Sequence, residues 1–145
     1  MSSRPWIAAL FFSLSVTANA QGVPEPLKAE LGQPVYLDFW ASWCAPCAQS
    51  FPWLNDMQAR YGDRLRIVGV IVDTKREDAE RFLKRRPANF KLIYDPSGQL
   101  AEHYALQAMP SAVLLNAQGQ VLWQHGGFRP EETGAYEAAI KKVLQ

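Results

Sequence analysis

The stretch DFWASWCAPCAQSFPW, residues 38–53, contains both cysteines of the chain, Cys44 and Cys47. Just upstream, VYLDFW (35–40) is short, mostly apolar and rich in residues that favour strands, which predicts a buried strand. Downstream, residues 45–62 carry apolar side chains at roughly helical spacing, which predicts a helix. The two cysteines therefore lie where a strand gives way to a helix.

The rest of the chain continues this alternation of strands and helices. Gly62 is expected to close the first helix, and Pro52 inside it predicts a kink. Ala117-Gln118-Gly119 separates two apolar runs and predicts a hairpin. The order is typical of an α/β sandwich whose central sheet is mixed. The further predicted elements are a short helix at 27–31, strands at 65–73, 90–95, 111–116 and 120–125, and helices at 76–86, 99–105 and 131–144.

Three uses of the CAPC motif (44–47) can be compared. A structural zinc site needs about four ligands, but the two histidines, His103 and His125, are far from the motif and from each other in the sequence. A structural disulfide that closes so short a loop removes little entropy from the unfolded chain. A redox pair fits the position better, because a helix N-terminus stabilises a thiolate at Cys44, and Cys47 lies one turn later on the same helix.

Composition places the chain among globular proteins and excludes some functions. It has 145 residues, 48% of them hydrophobic and 20% charged, which is enough to bury a core within one domain. The formal net charge is +1, so nothing indicates a nucleic-acid surface. No metal and no cofactor is implied by the residue pattern, and we expect a monomer.

The first twenty residues have the features of a cleavable signal peptide. Arg4 supplies a positive start, residues 6–16 are mostly apolar, and Ala18-Asn19-Ala20 resembles a signal peptidase site. The apolar run is too short for a stable membrane-spanning helix; the alternative is an apolar N-terminal helix of the fold. We expect a mature domain of residues 21–145, exported to a bacterial periplasm, where thiols are exposed to oxidation.

Several motifs together resemble the thioredoxin fold. They are VYLDFWASWCAPC (35–47), Pro52 five residues after the second cysteine, and MPSAVLL (109–115). The middle of the chain and GQVLWQHGGF (119–128) are similar to the exported TlpA-like branch of thiol–disulfide oxidoreductases. This resemblance implies a three-layer sandwich, a nucleophilic Cys44, a resolving Cys47, and a cis-proline at Pro110 that faces them. Met109 would then pair its backbone with an extended substrate segment.

Three other positions in or near the motif are candidate site residues. Asp38 interrupts an apolar strand, so we expect burial to raise its pKa and suit it to deprotonating Cys47, as the matching aspartate does in thioredoxins. Its alternative is a strand-end carboxylate that reaches solvent. Trp43 and Pro46 are expected at the substrate surface, the latter also stiffening the first turn. Some TlpA-like reductants have a glutamate where this chain has Ser50, and Asp38 would supply that carboxylate instead.

The leading functional hypothesis is a reductant for disulfides of exported proteins, for example apocytochrome c or proteins awaiting a metal. The resemblance implies a membrane-bound electron donor for such a protein. A dithiol oxidant that forms disulfides would use the same residues. A copper-binding assembly module is a third hypothesis, and it needs a histidine near the thiols. The basic run LKRR (83–86) is interpreted as the solvated end of a helix rather than a docking patch.

Overall fold

The computed structural model describes residues 22–145, so the predicted signal peptide lies outside the described residues. Within this range the predicted order of strands and helices is confirmed. Single-turn 3₁₀ helices cover Leu27–Glu30 and Pro130–Glu132. The strands are β1 (Val35–Trp40), β2 (Arg66–Ile71), β3 (Lys91–Tyr94), β4 (Ser111–Leu115) and β5 (Val121–Gly126), and the helices are α1 (Ala45–Tyr61), α2 (Arg76–Arg85), α3 (Gln99–His103) and α4 (Thr133–Val143).

The five strands form one mixed sheet in the order β3-β2-β1-β4-β5. Strands β1, β2 and β3 are parallel, because a helix connects each to the next, whereas β4 is antiparallel to β1 and β5 to β4. The predicted hairpin joins β4 to β5. Its turn is held by the Asn116 side chain, whose oxygen accepts hydrogen bonds from the backbone N–H groups of Gln118 and Gln120 at 3.0 and 2.9 Å.

The sheet separates two apolar cores, and β1 contributes to both because its side chains alternate between the faces. Tyr36 and Trp40 pack on one side with α1, α2 and α4. Leu37 and Phe39 pack on the other side with α3 and the first 3₁₀ helix. This confirms the predicted three-layer sandwich.

Aromatic packing fixes the first two helices against the end of β1. The Trp40 ring lies 4.9 Å from the rings of both Phe51 on α1 and Phe82 on α2, measured between centroids. Gly69 on β2 makes room for this cluster, since a Cβ atom there would lie 2.9 Å from the indole nitrogen of Trp40 and 2.9 Å from the Phe90 ring. The packing therefore holds α1, and the cysteines at its start, in a defined position.

One predicted strand is shorter than the sequence indicated. Strand β2 ends at Ile71 rather than residue 73, because the Asp73 carboxylate instead binds the loop that follows β1. Pro52 lies inside α1, as the sequence predicted; its ring nitrogen cannot donate the usual hydrogen bond, and the kink there stays a prediction. Among residues 22–145, no helix is long and apolar enough to cross a membrane.

Candidate active site

Cys44 and Cys47 form a disulfide at the N-terminus of α1. Cys44 is the N-cap residue, and its sulphur accepts a hydrogen bond from the backbone N–H of Cys47 at 3.3 Å. Pro46 stands within the first turn, where a missing N–H costs nothing because the first four donors of a helix have no partner within it. When the pair is reduced, the same N–H and the helix dipole stabilise a thiolate at Cys44.

The two sulphur atoms differ in their access to solvent. Cys47 is fully buried and packs in the core between α1 and the sheet. Cys44 is 6% exposed and borders an open groove on the surface. Ser50, which takes the place of the glutamate of some related reductants, is buried and donates its hydroxyl to the Cys47 carbonyl at 2.8 Å. A molecule from outside can therefore reach Cys44 before Cys47.

The loop between β1 and Cys44 is anchored by a residue that the sequence did not single out. Asp73 follows β2, and its carboxylate accepts hydrogen bonds from the backbone N–H of Ser42 at 2.9 Å and from the Ser42 hydroxyl at 2.6 Å. Asp73 is 3% exposed, so both bonds are shielded from water. A charge-assisted pair of this kind is stronger than a neutral one. It holds the chain two residues before the nucleophile.

Asp38 is buried in the middle of β1, so the alternative of a solvent-reaching carboxylate is wrong. It is 4% exposed, and its Oδ2 atom has no hydrogen-bond partner among the described residues. Because strand side chains alternate, Asp38 lies on the same face as Tyr36 and Trp40, which is the face that packs against Cys47. Burial raises the pKa of Asp38 well above its ordinary value, as expected. Burial and then the nearby Asp38 also raise the pKa of Tyr36.

Met109 and Pro110 lie at the same edge of the sheet as the cysteines. The antiparallel register pairs Phe39 with Ser111, so the residues before β4 run beside the end of β1. Met109 packs against the core that contains both cysteines, and the Met109–Pro110 peptide bond is cis. The Pro110 carbonyl accepts a hydrogen bond from the Gly127 N–H at 2.7 Å. Gly127 adopts φ +82°, which favours glycine.

The surface around Cys44 is lined by the loop before α1, the start of α1 and the end of α2. Trp43 is 70% exposed and Pro46 is exposed, as the sequence predicted for a substrate surface. Sequence reasoning assigned Arg85 and Arg86 only to a solvated helix end, yet both line the groove beside Cys44. We call this feature, of about 410 Å³, the arginine groove; it is formed by Trp43, Cys44, Ala48, Phe82, Arg85 and Arg86.

The histidines do not come together with the thiols. His125 stacks on Trp123 and forms a 3.0 Å hydrogen bond with the Tyr136 hydroxyl, and His103 packs edge-on against Tyr104. In the part of the chain that the structure describes, no three side chains from His, Cys, Asp and Glu are grouped as metal ligands would be. The described residues thus place no histidine beside the thiols, where the copper-binding hypothesis needs one.

Comparison with known proteins agrees with this geometry. The Redoxin family profile matches residues 12–143. The chain belongs to the Redoxin family. It is similar to the thiol–disulfide oxidoreductase ResA of Bacillus thuringiensis subsp. konkukian, with 26% identity over 129 residues that cover 88% of this chain and 73% of ResA. It therefore has the activity of a thiol–disulfide oxidoreductase, with Cys44 and Cys47 as its redox pair.

Solved structures of similar proteins share the fold. A protein described as a putative thiol:disulfide interchange protein DsbE from Chlorobium tepidum is 47% identical, with a TM-score of 0.80 over 82% of this chain and 85% of that one. StoA from Bacillus subtilis is 26% identical, with a TM-score of 0.65 over 76% of this chain and 84% of that one. The match to ResA, DsbE and StoA is consistent with the TlpA-like branch.

Proposed function

We propose that this oxidoreductase is exported and reduces disulfides of periplasmic proteins. The observation that carries the proposal is the disulfide at the start of α1, with the accessible Cys44 over the buried Cys47. Export is supported by the signal-like residues 1–20 and by a relative of 28% identity that is described as an exposed lipoprotein thioredoxin from Streptococcus pneumoniae. Proteins that await haem or metal attachment at their cysteines are the proposed substrates.

In the first step the reduced protein uses Cys44 as its nucleophile. The Cys44 thiolate attacks one sulphur of the substrate disulfide, a bond forms between the two sulphur atoms, and the other substrate sulphur leaves as a thiolate. The Cys47 N–H that points at the Cys44 sulphur, 3.3 Å away, favours the attacking thiolate. Because Cys47 is fully buried, a protein substrate meets Cys44 first.

In the second step Cys47 releases the substrate. The Cys47 thiol must lose its proton, and we propose that the Asp38 carboxylate on the same face of the sheet accepts it, through the buried site. The Cys47 thiolate then attacks the Cys44 sulphur, and the second substrate sulphur departs as a thiolate. The product is the Cys44–Cys47 disulfide observed here, so two electrons have passed to the substrate.

The substrate backbone is proposed to lie across the surface around Cys44. Met109 would offer backbone groups to an extended segment, in the manner of an added strand, with Pro110 placing them next to the disulfide. Exposed Trp43 and Pro46 would supply apolar contact on the other side. A membrane-bound dithiol donor would restore the reduced pair, since both cysteines of the chain are oxidised in each turnover. We propose that the protein works as a monomer.

The direction of electron flow follows from the relative stability of the two redox states. In the reduced state Cys47 is a thiol enclosed in an apolar core, next to a face that already carries a buried carboxylate. Burial disfavours a negative charge on the Cys47 sulphur, which supports the proposed release of electrons from the reduced pair. The TlpA-like resemblance points to the same direction.

The test is the equilibrium reduction potential of the Cys44–Cys47 pair, measured against glutathione or dithiothreitol buffers. We expect a value near or below about −220 mV, which is on the thioredoxin side of the scale. A value near about −120 mV would show an oxidant that forms disulfides, and the proposed direction would be wrong.

A further inference from the structure

The arginine groove continues beyond the redox pair. A second, apolar groove of about 240 Å³ shares Ala48 and Arg86 with it and runs along α1 to Asn55 and Pro87. The two grooves together form an open channel that begins at Cys44. Two adjoining open grooves along α1 suit an extended chain segment better than a compact small molecule.

Two cations line this channel without a partner from the described part of the chain. Arg85 and Arg86 are both exposed, and neither forms an ion pair within 4.0 Å among residues 22–145. Arg60 and Arg81, in contrast, are paired, with Glu137 and with Asp78 on α2 itself. The guanidinium groups at the mouth of the channel are therefore free to bind an external anion.

Arg86 is held by its neighbours, although its side chain is exposed. The Arg86 guanidinium lies 5.6 Å from the centre of the Phe82 ring, which is part of the groove wall. The segment after Arg86 is tied to α1, because Asn55 donates to the Pro87 carbonyl at 3.0 Å and accepts from the Asn89 N–H at 2.8 Å. An arginine held in this way loses less conformational entropy when it binds a carboxylate.

We propose that the arginine groove binds an acidic segment next to the disulfide of a protein substrate. This inference rests on the proposed reductase function and names its class of substrate. Arginine pairs with carboxylates through two parallel hydrogen bonds, and Trp43 at 70% exposure offers apolar contact beside them. The acidic segment would place the substrate disulfide against Cys44. The exchange of sulphur bonds and electrons is then the one described above.

The experiment compares three disulfide-linked reporter peptides that differ only in three residues beside the cystine, which are glutamate, glutamine or lysine. Initial reduction rates by the reduced protein are measured at 50 mM and 500 mM salt. Each exposed arginine–carboxylate pair contributes roughly a two- to fivefold change in rate. With two arginines, we therefore expect the acidic peptide to react about 4- to 25-fold faster than the glutamine peptide at low salt, with a smaller ratio at high salt.

Variants assign this preference to the groove. The Arg85→Gln/Arg86→Gln protein should reduce the acidic and glutamine peptides at equal rates. Arg85→Lys/Arg86→Lys should retain most of the rate advantage of the acidic peptide. Arg85→Glu/Arg86→Glu should reduce the lysine peptide fastest. The matched control is Arg64→Gln/Lys142→Gln, which removes the same charge from exposed sites outside the groove. It should keep the ratio of the native protein.

Four outcomes would overturn the inference. Equal rates for all three peptides, or a preference that survives in Arg85→Gln/Arg86→Gln, would show that the groove does not select acidic segments. If the arginines speed the reduction of the small anionic disulfide 5,5′-dithiobis(2-nitrobenzoate) but the three peptides react at equal rates, the groove binds small anions instead. Failure to reduce any peptide would instead refute the proposed function, and this inference with it.

Discussion

Replacing Asp38 with asparagine should stabilise the oxidised protein at neutral pH. Burial raises the pKa of Asp38 above its value in the unfolded chain, so the folded protein holds this proton more tightly. Between the unfolded and the folded pKa, unfolding releases a proton, and the stability of the native protein falls as the pH rises. The asparagine of the Asp38→Asn variant has no such proton. The free energy of unfolding of the variant therefore rises relative to that of the native protein as the pH increases through this window.

The size of the effect has an upper bound. Within the window, the difference in the free energy of unfolding grows by about 1.4 kcal/mol per pH unit. An aspartate in an unfolded chain titrates near about 3.9, so the difference at pH 7 is at most about 4 kcal/mol. Asp38 is 4% exposed, and no hydrogen bond to its Oδ2 atom from the described residues offsets this cost.

The assay is urea unfolding of the oxidised proteins at half-unit steps from pH 4 to pH 8. Asp73→Asn is the matched control, because Asp73 is equally buried but accepts two hydrogen bonds from Ser42. Loss of charge there should destabilise the protein, by about 1.5–3 kcal/mol. The same substitution at two buried aspartates is thus expected to stabilise the protein at Asp38 and to destabilise it at Asp73.

The same Asp38 variant tests the proposed proton transfer. If Asp38 accepts the Cys47 proton, Asp38→Asn should slow release of substrate from the mixed disulfide by about 10²-fold at pH 7. The rate should recover as the pH rises and hydroxide replaces the carboxylate. Stability curves of native and variant protein that stay parallel from pH 4 to pH 8 would refute the electrostatic reasoning. An unchanged release rate would refute the role in proton transfer alone.

Three further predictions concern other parts of the structure. Gly69→Ala should lower the free energy of unfolding by about 1–3 kcal/mol in urea titrations, because the new methyl group would overlap the Trp40 indole; an unchanged midpoint would contradict the packing argument. Arg60, with Tyr61 and Lys141, lowers the pKa of Glu137 to about 2; its contribution to stability is present above the unfolded pKa and is lost as the pH falls towards 2. Glu137→Gln should therefore lower the free energy of unfolding by about 1 kcal/mol at pH 7 and leave it unchanged near pH 2. An equal loss at both pH values would argue against this electrostatic contribution of Glu137. Cys47→Ser should accumulate a mixed disulfide with substrate, visible by non-reducing electrophoresis and mass spectrometry, and absence of the adduct would count against Cys44 as the nucleophile.

The sequence by itself determined the local framework of this protein. The apolar β1, the helical spacing after it and the short interval between Cys44 and Cys47 were enough to predict a redox pair at a strand-to-helix junction. The hairpin was equally clear from Ala117-Gln118-Gly119. These features depend on backbone preferences and side-chain periodicity over a few residues, which one stretch of sequence contains in full.

Only the tertiary structure decided how the site is supported and what surrounds it. Asp73 reaches Ser42 across 31 residues, and Arg85 and Arg86 come to line the groove of Cys44 because Phe82 packs on Trp40. A carboxylate in a strand and a basic run at a helix end do not reveal such neighbours. Burial, hydrogen-bond partners and electrostatic environment depend on which distant elements pack together, and that is settled by the whole core rather than by any local pattern.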